Sequence, residues 1–412
     1  MADKFIITIA IFITAYISFP ALAEEPPIDM SRMEGFLSGK ANHKDAHDVI
    51  SKIQEDIDKN PANHANYAAL AFVYDYINMP AKALEAIKAE IKYSPEKSGW
   101  DMIYGNLSRE YFSLDRIDEV KKPALKSVKY NPKNINSRMN LLKYYILKGR
   151  YKEAAAELKT ISSLDKEMDF YYEIYKCCFD KVKDKNKIIE LFREAVKVNP
   201  DNYMSHRALG TAMRDLFNDA MEKNLPVIMK SFNKAVELNP KYIHTYISIA
   251  NTYMYLGLKT NKNSYYNDAL KWIDKAYKLE PENLKVAYCM GNIFLAMEQY
   301  DKGLERLEYA ISRGGNDKDT IELLAAGYNN KAYTYYETGK NLEEGLKIID
   351  KAIMLNPEDS FILSTKAELL YKMQRFDEAC EYIQKAVKFA PDEPGIKRDL
   401  ANIEKTIKKK PK

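Results

Sequence analysis

The sequence predicts an all-α protein, a right-handed α-solenoid (superhelix) of about nine helix pairs with capping helices. The first observation is that eight short phrases end in proline, 34, 37, 68, 40, 41, 76 and 34 residues apart. Each of the two long gaps holds about two periods, so one unit of roughly 34–42 residues is repeated. The second is helical spacing of apolar residues between the prolines. The third is scarce glycine, 15 residues in all, where strand-rich folds with tight turns need more. The phrases end at Pro61, Pro95, Pro132, Pro200, Pro240, Pro281, Pro357 and Pro391.

The unit that ends at Pro391 shows how one repeat is built. Apolar residues spaced by three and four predict one buried face on each of two helices, separated by a turn at 374–377. Small alanines allow the two helix axes to approach closely, and Pro391 ends the second helix. The two faces comprise Leu363, Ala367, Leu370 and Tyr371, then Ala379, Ile383, Ala386 and Val387.

Residues at fixed places in these units carry a family resemblance. The pattern resembles the tetratricopeptide repeat, W-x2-L-G-x2-Y…A-x3-F…P, over about Ala41 to Pro391. The resemblance implies a concave groove, lined by the first helix of each pair, that binds peptides or protein partners. In the first unit the matching residues are Tyr67, Leu70, Ala71, Tyr74, Ala83, Ile87 and Pro95.

Single positions depart from this pattern without changing the predicted architecture. Lys176 and Lys366 stand where a small residue is usual, and Gly303 and Gly345 replace alanine in second helices. We expect Gly105 to face the groove, so that Gly105→Arg is tolerated. By contrast, we expect Ala276 to lie between packed helices, where an arginine disrupts the stack.

The ends of the chain predict export and capping. Lys4, the apolar run 5–19 and Ala21-Leu22-Ala23 predict a signal peptide over 1–23. The mature protein is then periplasmic or secreted; the alternative is an uncleaved membrane anchor. Residues 24–40 are read as a linker, 41–391 as the repeat solenoid, and 392–412 as a closing helix with a basic tail. Residues 43–60 are expected to cap the front.

Little in the sequence indicates catalysis or a cofactor. His43 and His47 share the spacing of a zinc pair but lack the glutamate that accompanies it in metalloproteases, so we predict no metal and no cofactor. The four cysteines, at 177, 178, 289 and 380, are interpreted as small hydrophobic residues in or near a core. With 63 basic and 59 acidic side chains, the charge indicates no nucleic-acid partner. We therefore expect no enzyme.

The predicted groove has two parts. Asn251, Asn292 and Asn330 fall in successive units and can pair with the backbone of an extended peptide, with Tyr288 stacking on its side chains. A more basic front half can receive an acidic segment or a carboxylate. The basic half comprises Arg109, Asn140, Lys143 and Arg207. The wider set of groove residues adds Phe72, Glu173, Thr211, Thr334 and Glu368.

Three functions remain open from the sequence. The first is a non-enzymatic scaffold that binds partner proteins or extended peptides in its groove. The second is a structural or assembly component of a cell-envelope or secretion complex. The third is a regulatory subunit of an enzyme whose catalytic domain lies on another chain.

Overall fold

The computed structural model describes residues 43–95, 99–165, 174, 178 and 181–409. Nineteen α-helices and one short 3₁₀ turn make up the secondary structure of these residues, and no strand occurs among them. None of the described helices is both long and apolar enough to cross a membrane. The predicted signal peptide, the linker 24–40, Glu173, Lys176 and Cys177 lie outside the described residues.

The chain divides after Ala212 into two compact units. The amino-terminal unit contains α1 (His43–Lys59), α2 (His64–Tyr76), α3 (Pro80–Tyr93), α4 (Trp100–Ser113), α5 (Ile117–Tyr130), α6 (Ile135–Leu147), α7 (Tyr151–Leu164) and α8 (Asn186–Val198). The division falls within α9 (Tyr203–Leu216). The carboxy-terminal unit contains α10 (Met221–Leu238), α11 (Ile243–Thr260), α12 (Asn263–Leu279), α13 (Leu284–Ala296), α14 (Tyr300–Ser312), α15 (Lys318–Thr338), α16 (Leu342–Leu355), α17 (Ser360–Lys372), α18 (Phe376–Phe389) and α19 (Pro394–Lys409).

Consecutive helices pack as pairs within each unit, which confirms the predicted fold. In the amino-terminal unit α2 pairs with α3, α4 with α5 and α6 with α7, and α1 packs on α2 as a cap. In the carboxy-terminal unit the pairs are α11–α12, α13–α14, α15–α16 and α17–α18. The final helix α19 packs on both α17 and α18 and buries Ile396 and Ile403.

The proline phrases end one helix and begin the next. The ring of proline cannot continue the second helix, and the polar residue two positions later caps the following first helix. The side chains of Asn63, Asn134, Asn283 and Asp359 each accept a hydrogen bond from a backbone N–H of the helix that follows. The recurring phrase Pro-x-Asn or Pro-x-Asp therefore sets both boundaries.

The turn inside a pair repeats as well. Five of the pairs place a residue with positive φ two positions before the second helix begins, at Asn78, Asp115, Gly149, Glu298 and Gln374. This left-handed conformation reverses the chain and favours glycine. Only one of the five residues is glycine, so the other four turns adopt it with a side chain.

Gly105 does not face a groove, so that prediction is wrong. It is buried on α4 against α6, and a Cβ added to it would lie 2.8 Å from the Ser137 Oγ. A larger side chain there would separate the two first helices. Ala276, in contrast, is buried on α12 as predicted.

Cysteine placement agrees with the sequence interpretation where it is described. Cys178 and Cys289 are buried, Cys380 is half-buried, and all three are free thiols. Burial raises the pKa of the Cys289 thiol to about 12, so this thiol stays protonated and unreactive at neutral pH.

Candidate functional site

Arg109, predicted to attract an acidic partner, is bound by two carboxylates of its own unit. Its Nη2 lies 2.9 Å from Asp75 Oδ2 on α2, and its Nε donates to Glu110 Oε1 at 3.0 Å. The Glu110 side chain is 0% exposed. Burial raises the pKa of Glu110, and the Arg109 charge opposes that shift. The charge of Arg109 is thus largely neutralised within the unit.

The other predicted residues of the basic half are buried. Asn140 is 5% exposed and donates through Nδ2 to Ser108 Oγ at 2.8 Å, which ties α6 to α4. Lys143 is 7% exposed, with its Nζ 5.4 Å from the centre of the Phe112 ring, and Arg207 is 6% exposed. These side chains contribute to the packing of the amino-terminal unit, and the structure does not bring the four together as an open basic surface.

The carboxy-terminal unit has a continuous layer of first helices. Helix α11 contacts α13, α13 contacts α15, α15 contacts α17, and α17 contacts α19. Each of the first four carries a buried small residue at the same place in the repeat, namely Ala250, Gly291, Ala332 and Ala367. The residue that follows each of them occupies an equivalent position on successive helices. We call these four residues, Asn251, Asn292, Tyr333 and Glu368, the register row.

The three predicted asparagines have different surroundings. Asn251 is half-buried and its Oδ1 accepts a hydrogen bond from the Cys289 Sγ at 3.2 Å. Asn292 is half-buried, and its side chain forms no hydrogen bond with any residue that the structure describes. Asn330 is exposed and lies two residues before Ala332, so it occupies the place of Cys289 rather than that of Asn292. It accepts a 3.4 Å hydrogen bond from Asn329 Nδ2.

Aromatic side chains lie in this row and beside it. Tyr288 is half-buried against the hydrophobic core at the carboxyl end of the chain. Tyr333, which the sequence reasoning missed, is 38% exposed, and its ring centre lies 5.4 Å from that of Tyr336. The sequence does contain a signal for Tyr333, because it directly follows the small residue Ala332. Asn251 and Asn292 likewise follow the small residues Ala250 and Gly291.

Glu368 is the acidic residue of the row. Its carboxyl is half-buried and forms no hydrogen bond or ion pair within the described part of the chain. Burial and, to a smaller extent, the Asp399 charge raise the pKa of Glu368 to about 7, with the Arg398 charge opposing them. Asp399 and Arg398 belong to α19, and their Oδ1 and Nε lie 3.7 Å apart. The sequence placed Glu368 in the groove but gave no sign of Asp399.

Thr334, another predicted groove residue, lines a different feature. A cleft of about 790 Å³ lies between the α13–α14 turn and helix α15, and Thr334 is part of its wall. Lys331 in the same wall is held by Asp301 Oδ1 at 2.5 Å. Lys366 is held in the same way by Asp350 Oδ1 at 2.5 Å. Ala367, and not Lys366, occupies the small-residue place of this repeat, so that expectation for Lys366 is wrong. Lys366 instead links the neighbouring pairs α15–α16 and α17–α18.

Comparison with known proteins identifies the class of this fold. The family model of the tetratricopeptide repeat matches residues 325–359 and 362–393, which correspond to the pairs α15–α16 and α17–α18. These two helix pairs are tetratricopeptide repeats, as the sequence pattern predicts.

Relatives share this repeat at low identity. Human tetratricopeptide repeat protein 6 is 24% identical over 57% of this chain and 41% of its own length. Hsp70-Hsp90 organizing protein 3 of Arabidopsis thaliana is 28% identical over 34% of this chain and 26% of its own length. The chain thus spans less than half the length of these curated relatives. Among solved structures, YrrB, described as a TPR protein with an unusual peptide-binding site, aligns with a TM-score of 0.38 at 18% identity, over 53% of this chain and 99% of that one.

Proposed function

We propose that this protein is a non-enzymatic scaffold that binds an extended segment of a partner protein along the register row. One observation carries the proposal: the first helices of the carboxy-terminal unit form an unbroken layer, and its row presents Asn292 and Glu368 without a polar partner among the described residues. Tetratricopeptide-repeat proteins generally mediate contacts between proteins. The Arabidopsis relative, whose name describes an organiser of two chaperones, is consistent with that role.

The chemistry of the row suits a main-chain ligand. An asparagine amide offers both a donor and an acceptor, so Asn251 and Asn292 can pair with a peptide backbone whatever its side chains are. Asn330 and Tyr288 lie on either side of the proposed peptide path along the register row. The Asn330 amide can hydrogen-bond to the peptide, and the Tyr288 ring can stack on its side chains. Each hydrogen bond contributes about 0.5–1.5 kcal/mol. Replacing all three asparagines by alanine is therefore expected to weaken binding about tenfold or more while the fold persists.

Crosslinking in the native cell tests the surface directly. A photoreactive phenylalanine analogue replaces Tyr333 in the full chain, and the same analogue at Met354, which is 84% exposed on α16, serves as the matched control. We expect a discrete crosslinked protein from position 333 and none from position 354. Adducts from position 354 alone would show that the second helices make the contact, and the scaffold would then bind by another face.

We also propose that the protein is exported. The support is the sequence pattern of residues 1–23, with an apolar run followed by Ala21-Leu22-Ala23. Sequencing the amino terminus of the mature protein is expected to give Glu24 as its first residue. A chain that still begins at Met1 in the membrane fraction would instead establish the anchor.

A further inference from the structure

We infer that the carboxyl end of the register row binds a basic side chain, a lysine or an arginine, of the partner segment. The site consists of Tyr333 on α15, Glu368 on α17 and Asp399 on α19, three helices that contact one another in that order, and we call it the tyrosine–carboxylate site. This inference rests on the proposed function and adds the chemistry of one ligand residue to it.

The state of Glu368 is the first argument. A carboxyl that is largely withdrawn from water and lacks any donor is costly in its charged form. In most proteins such a group is paired, because desolvation without a partner costs free energy. A cation placed against Glu368 would offset that cost, and perturbed carboxyls of this kind concentrate at binding sites. Within the described residues, Arg398 is the only cation that affects the pKa of Glu368, and its side chain is 75% exposed.

The aromatic neighbours supply the second argument. A cation over a tyrosine ring is attracted by the ring's negative face, and this layer already contains one example. Lys372 places its Nζ 4.8 Å from the centre of the Tyr336 ring and also donates to the Tyr336 carbonyl oxygen. Tyr333 lies next to it, is more exposed, and has no such cation among the described residues. Burial and the Glu368 charge raise the pKa of Tyr333, so the ring and this carboxyl, which has no hydrogen bond or ion pair among the described residues, are near enough to act on one ligand side chain.

The balance of charge supplies the third argument. Three carboxyl groups lie around the two tyrosines, those of Glu337, Glu368 and Asp399. The two cations near them are Arg398 and Lys372, and Lys372 already donates to the Tyr336 carbonyl oxygen. An acidic segment would meet repulsion, and an apolar segment would leave Glu368 unpaired. The groups that face this site from α15, α17 and α19 are Tyr333, Tyr336, Glu337, Glu368, Tyr371, Lys372, Arg398 and Asp399.

Peptide selection tests the inference without knowledge of the natural partner. Random dodecapeptides displayed on phage are selected on the immobilised full chain, with selection on the Glu368→Gln variant in parallel. We expect the wild-type chain to enrich peptides with a lysine or arginine at one fixed position, and the variant to lose that preference. Enriched peptides without a basic residue would overturn this inference and leave the proposed function intact. No enrichment of any peptide would overturn both.

Binding measurements on one enriched peptide then test the site itself. Glu368→Gln is expected to weaken binding about tenfold, the loss of a charge-assisted contact. Glu381→Gln, an equal change of charge at an exposed residue of α18, is the control and is expected to have no effect. Tyr333→Leu, which keeps an apolar side chain but removes the ring, is expected to weaken binding severalfold.

The dependence of affinity on pH separates a charge contact from a purely structural effect. Ionisation of Glu368 creates the negative charge that the basic side chain requires, so affinity is expected to rise severalfold from about pH 6 to about pH 8. The Glu368→Gln variant is expected to bind with a flat profile. A wild-type profile that is equally flat, or a Gln variant that binds as tightly as wild type, would refute the role of Glu368.

Discussion

The two units use equivalent positions of the repeat in opposite ways. In the amino-terminal unit Lys143 follows the buried Leu142 on α6, as Asn292 follows Gly291 on α13. Lys143 is buried, whereas the Asn292 side chain is half-buried and has no hydrogen-bond partner in the part of the chain that the structure describes. The first unit joins α4 to α6 with polar contacts such as Asn140 to Ser108. In the second unit Asn292 lies beside Gly291, where α13 approaches α14 so closely that an added Cβ would lie 3.2 Å from the Gly303 carbonyl oxygen. The second unit also joins α11 to α13 by a hydrogen bond, from Cys289 to Asn251.

This contrast shows which polar residues are available to a partner. A polar side chain that joins two helices already has its hydrogen-bond partners inside the protein, so it is not available to a ligand even where its residue type is suitable. A polar side chain beside small, apolar helix contacts is left for solvent or for a ligand. The carboxy-terminal unit therefore provides the better candidate surface, although the amino-terminal unit holds more of the predicted basic residues.

The largest effect is expected from breaking the apolar packing of the carboxy-terminal unit. Ala276 is 0% exposed on α12, and Ala276→Arg forces a charge between packed helices at a cost of several kcal/mol. Guanidinium unfolding followed by circular dichroism measures the loss. Lys278→Arg, at an exposed residue of the same helix, is expected to be neutral. Equal midpoints for the two variants would contradict the packing of Ala276.

Buried carboxyls in the two units are expected to make stability depend on pH. Burial raises the pKa of Glu90 on α3 to about 8, above that of Glu368. The folded state then holds a proton that the unfolded state has released, so stability falls from about pH 5 to about pH 8. For Glu90 the loss is on the order of 4 kcal/mol.

Glutamine variants test this dependence in each unit. Glu90→Gln is expected to flatten the pH dependence of the melting temperature up to about pH 8, and Glu368→Gln only up to about pH 7. Glu368→Gln is therefore expected to fold at least as well as wild type at neutral pH. A melting temperature that rises with pH in the wild-type chain, under otherwise equal conditions, would contradict the burial of both groups.

The comparison between the units is sharpest at two asparagines. Asn140→Ala removes a buried hydrogen bond between α6 and α4 and is expected to cost about 1–3 kcal/mol. Asn292→Ala removes a side chain without an internal partner among the described residues and is expected to change stability by less than about 0.5 kcal/mol. Urea unfolding of the two variants side by side measures both values. If Asn292→Ala lowered the free energy of unfolding as much as Asn140→Ala, the Asn292 side chain would also contribute to helix packing, and the contrast between the units would be wrong.

The fold was predictable because the proline phrases and apolar residues recur at a regular period. The site was harder to predict because polar side chains of one repeat pair with those of the next. The Pro-x-Asn phrases mark helix ends locally, so the helix pairs and both caps follow from the sequence. Whether Arg109 is available to a partner depends on Asp75, which binds it and lies 34 residues earlier, one full repeat away. Asn140 likewise meets Ser108, 32 residues earlier. Complementary polar residues one period apart are therefore a signal that a residue is already paired.

Gly105 and Asn330 show the second limit. Both predictions assigned a facing direction from spacing alone, and a shift of one or two residues on a helix turns a side chain by about 100° for each residue. The register of Glu368 follows from Ala367, which precedes it, whereas Asp399 on the capping helix has no repeat to compare with. Register can be read from the buried small residue of each first helix, but not from the position of a polar residue alone.

The smallest expected effect concerns the turn that the two units share. Gly149 and Gln374 hold the same place, two residues before a second helix, with φ of 69° and 62°. The left-handed conformation destabilises a residue with a side chain by roughly 1–2 kcal/mol. Glycine avoids this strain but loses more backbone entropy on folding, which offsets part of the gain. Gln374→Gly is therefore expected to stabilise the chain by about 0.5–1 kcal/mol, and Gly149→Ala to destabilise it by about 1 kcal/mol. Thermal unfolding of both variants measures the two shifts. Opposite signs would show that both units reverse the chain by the same strained turn, whereas shifts of the same sign would mean that the side chain of Gln374 makes a contact that outweighs its backbone strain.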